Sequence, residues 1–269
     1  MVTRFAALIV AVAVLVVAVG CAPNFGPNAK NGIVFYCPGA SNTDLGDVPI
    51  RKGLQDAGFR GEVNVFYWSL APVPIVGVAI DQYAKYARLR AGTLARDIEA
   101  YIDRFPGRPV TVIGLSAGTG VALWAVGELR HGYEVDNVVL LSSSLSSTFD
   151  ASWALQRVRG RVYVFYSPND AVLSGPMRFA GTIDGSFTDE PVGLVGLRSP
   201  DPAGKIQNIP YSAEFASYGY YGGHTDSTAS GFIRAVVAPK IIRPDVSFAR
   251  PETAAPSRLA STPPLGPRR

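Results

Sequence analysis

The sequence predicts an α/β domain: a mostly parallel sheet with helices on both faces and no large cap domain. Three observations predict it. Short, continuously apolar runs rich in β-branched and aromatic residues recur along the chain, stretches of helical periodicity lie between them, and turn residues mark the joins. Strands buried on both faces read as such unbroken runs, whereas a sheet with one wet face would alternate.

The elements follow in order. "GIVFYC" (Gly32 to Cys37) is ended by Pro38-Gly39 and predicts a buried strand. "DVPIRKGLQDAG" predicts a short helix with Gly58 near its end, and "EVNVFYWSL" (Glu62 to Leu70) a second strand. "LRAGTLARDIEAYIDRF" repeats apolar residues at Leu94, Ile98, Tyr101 and Ile102, a helical spacing. "PVTVIGL" is a third strand and "GTGVALWAVGELR" the helix behind it. "NVVLLSS" and "RVYVFYS" are further strands flanking a short helix, "SWALQRV", and Thr228 to Val237 closes the series as a helix.

Composition sets the outer bounds. The chain has 269 residues, 48% of them apolar and 17% charged, enough for a substantial core. Its formal charge is +4, with Arg4, Arg268 and Arg269 at the two ends. No Lys/Arg run interleaved with aromatics occurs between them, which argues against nucleic-acid binding. Two histidines and two cysteines leave no metal constellation, and no G-x-G-x-x-G follows the first strand, so no cofactor is expected.

The N-terminus reads as an export signal. Arg4 precedes "FAALIVAVAVLVVAVG" (Phe5 to Gly20), an apolar stretch without a charge. The next residue is Cys21, and "VAVGC" resembles a bacterial lipobox, in which the cysteine is lipidated and becomes the first mature residue. That resemblance implies a lipoprotein held at the cell envelope; a plain cleaved signal or an uncleaved anchor would leave Cys21 incidental. With Cys21 lipidated, Cys37 has no disulfide partner and reads as a small buried hydrophobe. Residues 1–20 are therefore expected as signal peptide, 21–31 as linker and 32–243 as the folded domain. A Pro-rich disordered tail is expected over 244–269.

One stretch carries chemistry. "VIGLSAGTG" contains Gly114-Leu115-Ser116-Ala117-Gly118, a G-x-S-x-G pattern between an expected strand and an expected helix. Such a turn is cramped, so the residues around Ser116 must be small, and the helix start aims amide N–H groups at developing negative charge. A serine hydroxyl needs a base. His131 ends the helix after the turn, more than about 20 Å along the axis, and suits a solvent-facing C-terminal residue. His224 lies in a Gly-rich loop, "YYGGHTDSTAS", just before the last helix. An acid to orient it is expected past the strand "RVYVFYS", where Asp170 falls; Asp150 and Asp226 are the competing acids.

The order Ser116, Asp170, His224, each on its expected turn, resembles the α/β-hydrolase superfamily from Ile33 to about Val237. The resemblance implies acyl transfer to water: Ser116 attacks an ester carbonyl, His224 serves as base and then acid, and Asp170 orients it. It also implies an oxyanion hole from the N–H of Ala117 and a second N–H in "CPGASN", with Ala40 the first choice and Gly39 the second. Pro38 stands where the family's loop begins with histidine.

A small-molecule or lipid ester is then the expected substrate, with the membrane as a partner through the N-terminal anchor. A peptidase, thioesterase or acyltransferase would use the same three residues, and a non-catalytic envelope binding protein could keep the scaffold alone. Only about 16 residues separate two of the strands where relatives insert a cap, so an open site is expected. "SLAPVPIVGVAI" (Ser69 to Ile80) reads as core or as the wall of an acyl pocket. Tyr218, Tyr220 and Tyr221 beside His224 either wall the pocket or pack. The oligomeric state is not legible in the sequence.

Overall fold

Each apolar run read as a strand is a strand in the computed structural model, which describes residues 23–69, 84–175 and 180–242. The strands are β1 (Ile33–Cys37), β2 (Glu62–Val65), β3 (Val110–Leu115), β4 (Asn137–Leu141) and β5 (Val162–Tyr166). A further strand, β6 (Ile206–Pro210), was not expected. Its residues are half-buried or exposed, so it lacks the apolar signature of the others. Pro210 is tolerated because β6 is an edge strand, where a missing N–H breaks no ladder. β2 ends at Val65, five residues short of the expected run, because the chain turns to bury Trp68, whose indole N–H donates to Pro38 O at 2.8 Å.

The six strands form one parallel sheet in the order β2-β1-β3-β4-β5-β6. Alternate residues of each strand face opposite sides. Ile33, Phe35, Val112, Leu140 and Val164 feed one core with α2 (Ala84–Arg104) and α3 (Gly118–Gly127). Val34, Tyr36, Ile113, Leu141 and Phe165 feed the other, covered by α1 (Asp47–Asp56) and a helical run at the C-terminal end of the domain. That run is α over Ser230–Phe232, π over Ile233–Val237 and α again over Ala238–Ile242. α3 is buried on every side from Gly118 to Val126, as a helix apolar all round must be.

Strand order reverses between β1 and β3, so the crevice beyond their C-terminal ends is the natural site for a ligand in such a sheet. Among the described residues no large cap covers it. The stretch 167–205 between β5 and β6 contains α5 (Ala171–Ser174) and α6 (Val192–Val195). It is stitched to the segment after β4: Ile183 N–H donates to Ser144 O, Val192 N–H to Leu145 O and Gly193 N–H to Ser143 O. At the other end of the molecule, residues 23–31, read from the sequence as linker, belong to the packed body. Phe25 is buried against Tyr101 and Phe105, and Pro27–Asn31 form a 3-10 helix.

Residues 1–22, with the apolar run and Cys21, lie outside the described residues, as do 70–80 of the apolar loop and the tail from 243. No helix of the described residues is long and apolar enough to cross a membrane.

Candidate active site

Ser116 follows β3 with φ of 52°, in the left-handed region that side-chain-bearing residues rarely adopt. The two glycines of the pattern explain how the chain tolerates this. A Cβ on Gly114 would lie 2.6 Å from Thr119 Cα, and one on Gly118 2.2 Å from Pro38 O. Only hydrogen side chains let α3 approach β3 and β1 so closely. The turn is then locked: Ser116 N–H donates to Leu141 O at 3.0 Å, while Ser116 O accepts from Thr119 N–H, Thr119 Oγ1 and Ser144 N–H.

The loop after β5 and the loop before the C-terminal helical run meet. His224 Nδ1 lies 2.7 Å from Asp170 Oδ2, with Asp170 almost wholly buried and His224 nearly so. Asp170 also caps α5, its Oδ1 accepting the Val172 and Leu173 amides. The carboxylate is thus held from both sides, and bonding through Nδ1 leaves Nε2 as the ring nitrogen without a hydrogen-bond partner among the described residues. Gly222, at φ 88°, sits where a Cβ would meet Ser167 Oγ at 2.7 Å, so the glycine-rich loop is required by close approach.

His224 and Ser116 occupy the same C-terminal rim of the sheet. Ser142, directly after the Leu141 that accepts the Ser116 amide, donates its hydroxyl to Ser227 Oγ at 3.2 Å, and Ser227 donates to His224 O. The Ser116 hydroxyl makes no hydrogen bond to the imidazole.

The loop after β1 packs against the serine. Gly39 lies so close that a Cβ there would touch Ser116 Cβ at 3.4 Å. Its N–H donates to Asp44 Oδ2, and Asp44 Oδ1 accepts the Tyr36 hydroxyl and the Gly46 amide at 2.8 Å each. Asn42 ties the same loop to the Trp68 and Ser69 backbone. Ser41, Asn42 and Leu45 all have positive φ, so the loop is strained and these contacts hold it. Gly39 N–H is therefore engaged, whereas the N–H groups of Ala40 and Ala117 donate to no partner among the described residues.

The other candidates lie elsewhere. His131 is exposed in the turn after α3. Asp150 is exposed at the start of α4 (Ser152–Leu155), where hydrogen bonding from the Ser152 side chain, and then from its amide, holds the carboxyl below the usual range. Tyr220 packs in the core against Phe215 and Phe232, while Tyr218 and Tyr221 are exposed. Cys37 is fully buried, and burial pushes its thiol up. Two residues gain positions that sequence reasoning missed. Asp44 organises the loop after β1, and Asp226, a competing acid for the imidazole by sequence, instead accepts the Tyr221 amide at 2.9 Å and closes the glycine-rich loop on itself. Among the described residues no group of His, Cys, Asp and Glu is arranged to hold a metal ion.

No family model matches the chain, and no curated protein matches it. Among solved structures, three similar to it are the following. A dienelactone hydrolase from Anabaena variabilis shares 19% identity at a TM-score of 0.45, over 83% of this chain and 89% of its own. Esterase PE8 shares 13% at 0.43, over 77% and 94%. A cutinase-like protein from Cryptococcus sp. shares 12% at 0.40, over 81% and 98%. At such identities the likeness is one of fold alone.

Proposed function

We propose that this chain is a serine hydrolase of carboxylic esters, acting through Ser116, His224 and Asp170 and an acyl-enzyme intermediate. The observation that carries the reading is the Asp170–His224 pair at 2.7 Å on the same rim as a serine held at φ 52°. Asp170 keeps the proton on Nδ1, so Nε2 accepts the Ser116 proton as Oγ adds to the ester carbonyl. The oxyanion takes hydrogen bonds from the N–H groups of Ala117 and Ala40. His224 then returns the proton to the departing alkoxide, and water repeats the sequence to release the acid. The same groups would serve a peptidase, thioesterase or acyltransferase, and the choice between them lies in the pocket.

A second reading, a non-catalytic binding protein of the cell envelope, is favoured by one observation, the missing hydrogen bond between Ser116 and the imidazole. Such contacts often close only in the substrate complex. Fluorophosphonate treatment separates the two readings: we expect a mass adduct on Ser116 of the folded chain, and p-nitrophenyl ester hydrolysis that vanishes in Ser116→Ala and His224→Ala. A chain that takes up no adduct is the binding scaffold.

We further propose that Cys21 is lipidated after export and anchors the chain at the envelope. The apolar run before it and the "VAVGC" stretch support this. Mass spectrometry of the protein from its native membrane should find an acylated N-terminal cysteine; an unmodified Cys21 there rejects the anchor.

A further inference from the structure

The two ends of the sheet differ in charge. At the end where the strands begin, the loop into almost every strand presents a cation. Lys30 precedes β1, Arg60 precedes β2 and Arg108 precedes β3; Arg161 precedes β5 and Lys205 precedes β6, these two half-buried and donating to the carbonyls of Gly204 and of Leu155 and Val158 respectively. Lys240 of the C-terminal helical run joins them, its ammonium over the Tyr163 ring at 5.6 Å. Lys30, Arg60 and Arg108 are exposed and form no ion pair among the described residues. Four acids at this end are engaged, while Glu62 keeps a buried Oε2 without a hydrogen-bond partner among the described residues. Glu134 and Asp136 pair with Arg159, Asp201 accepts the Lys205 and Ile206 amides, and Asp103 accepts the Tyr133 hydroxyl. Glu62 is half-buried at the start of β2. The opposite rim, where Ser116 lies, carries Asp44, Asp184, Asp189 and Asp226, with Asp47 at the start of α1.

Two further features mark the basic end. A cavity of about 510 Å³ opens there, lined among others by Phe59, Arg60, Arg161, Tyr163 and Ile241, a mixture of cationic and apolar groups. The chain also enters the body at this end. Pro23, two positions after Cys21, leads to Phe25, which is buried against Tyr101 and Phe105 beside the start of β3. Whatever membrane receives the apolar run Phe5 to Gly20 therefore lies within a few residues of this edge, since a chain spans at most about 3.6 Å per residue.

We infer that the edge of the sheet where the strands begin is a docking surface for an anionic lipid bilayer, which holds the body with the Ser116 rim turned away from the membrane. The inference does not require Ser116 to be a nucleophile. It rests on charge complementarity and on the place where the N-terminal run meets the body. Each Lys or Arg brought near an anionic surface strengthens adsorption about fivefold, and the effect fades with salt.

Hydrogen exchange of the full chain reconstituted in vesicles tests it. Vesicles of phosphatidylcholine alone are compared with vesicles containing phosphatidylglycerol. Exchange at 58–61, 106–109 and 203–205 should slow by about fivefold or more on the anionic vesicles. Exchange at 184–190 should be unchanged, and high salt should erase the difference. The combined variant Lys30→Glu, Arg60→Glu, Arg108→Glu should lose the protection while remaining in the vesicle fraction through its N-terminal run. Equal exchange on both vesicles, or protection of 184–190 instead, overturns the inference. So does protection of the same loops by inorganic phosphate added to neutral vesicles, or by a single-stranded RNA at matching phosphate concentration, because the surface would then bind anions without regard to the bilayer.

Discussion

The carboxylate of Asp170 is shared between His224 and a helix: Oδ2 lies 2.7 Å from the imidazole, and Oδ1 accepts the Val172 and Leu173 amides at 3.1 Å each. One side chain thus does two separable jobs. Asparagine caps a helix about as well as aspartate, but its amide cannot replace the charge that fixes the imidazole. Asp170→Asn should keep wild-type stability to within about 0.5 kcal/mol while ester turnover falls by about 10⁴-fold. Asp170→Ala should lose the same turnover and a further ~1 kcal/mol of stability. Urea unfolding and p-nitrophenyl ester kinetics on the pair check this; an Asn variant with native kcat removes Asp170 from the reaction.

Ser116 stores backbone strain at φ 52°. Glycine relieves it and alanine does not. Both Ser116→Gly and Ser116→Ala should be inactive, with the glycine variant more stable by about 1 kcal/mol in denaturant titration. Alanine proving the more stable of the two would show that the turn is relaxed.

Asp44 gathers the Gly39 amide, the Tyr36 hydroxyl and the Gly46 amide onto one carboxylate, holding a loop in which Ser41, Asn42 and Leu45 have positive φ. Without it the Ala40 N–H drifts. Asp44→Ala should lower kcat by up to about 10²-fold, the scale of losing one oxyanion donor, with KM little changed. Asp44→Asn, whose remaining oxygen still accepts the Gly39 amide, should recover part of that loss. A rise in KM at constant kcat would instead assign Asp44 to substrate binding.

Cys37 is fully buried, and burial raises its thiol above the ordinary value. Raising the pH to the usual thiol range therefore leaves it protonated and unreactive. A disulfide reagent applied to the folded chain should count no thiol from Cys37, and unfolding should add one. Reaction before unfolding would mean that β1 opens under native conditions.

Gly118 faces the carbonyls of Pro38 and Cys37, 2.2 and 2.3 Å from where a Cβ would stand. Backbone cannot yield as a side chain can, so Gly118→Ala should destabilise by about 3 kcal/mol. A native melting temperature in that variant would place α3 farther from β1 than described.

What could be read in the chain was what short stretches carry by themselves. The apolar runs of β1, β3, β4 and β5 and the spacing of Leu94, Ile98 and Tyr101 are local patterns that need no partner to be visible. Elements without such patterns escaped. β6 is a polar edge strand, the excursion 167–205 is held by amides rather than by apolar faces, and the 3-10 turn at Pro27–Asn31 packs through one aromatic, Phe25.

The sequence by itself determined a parallel α/β domain and a serine on a strand-to-helix turn, because side-chain size and periodicity act over a few residues. Only the tertiary structure decided which acid meets the imidazole, since Asp170 and His224 stand 54 positions apart and Asp150 is exposed and drawn off to the Ser152 amide. The same holds for the oxyanion loop, where Asp44 engages Gly39 N–H and leaves Ala40 N–H without a partner. Hydrogen bonds between distant loops depend on where the sheet brings its strand ends, and no local pattern encodes that.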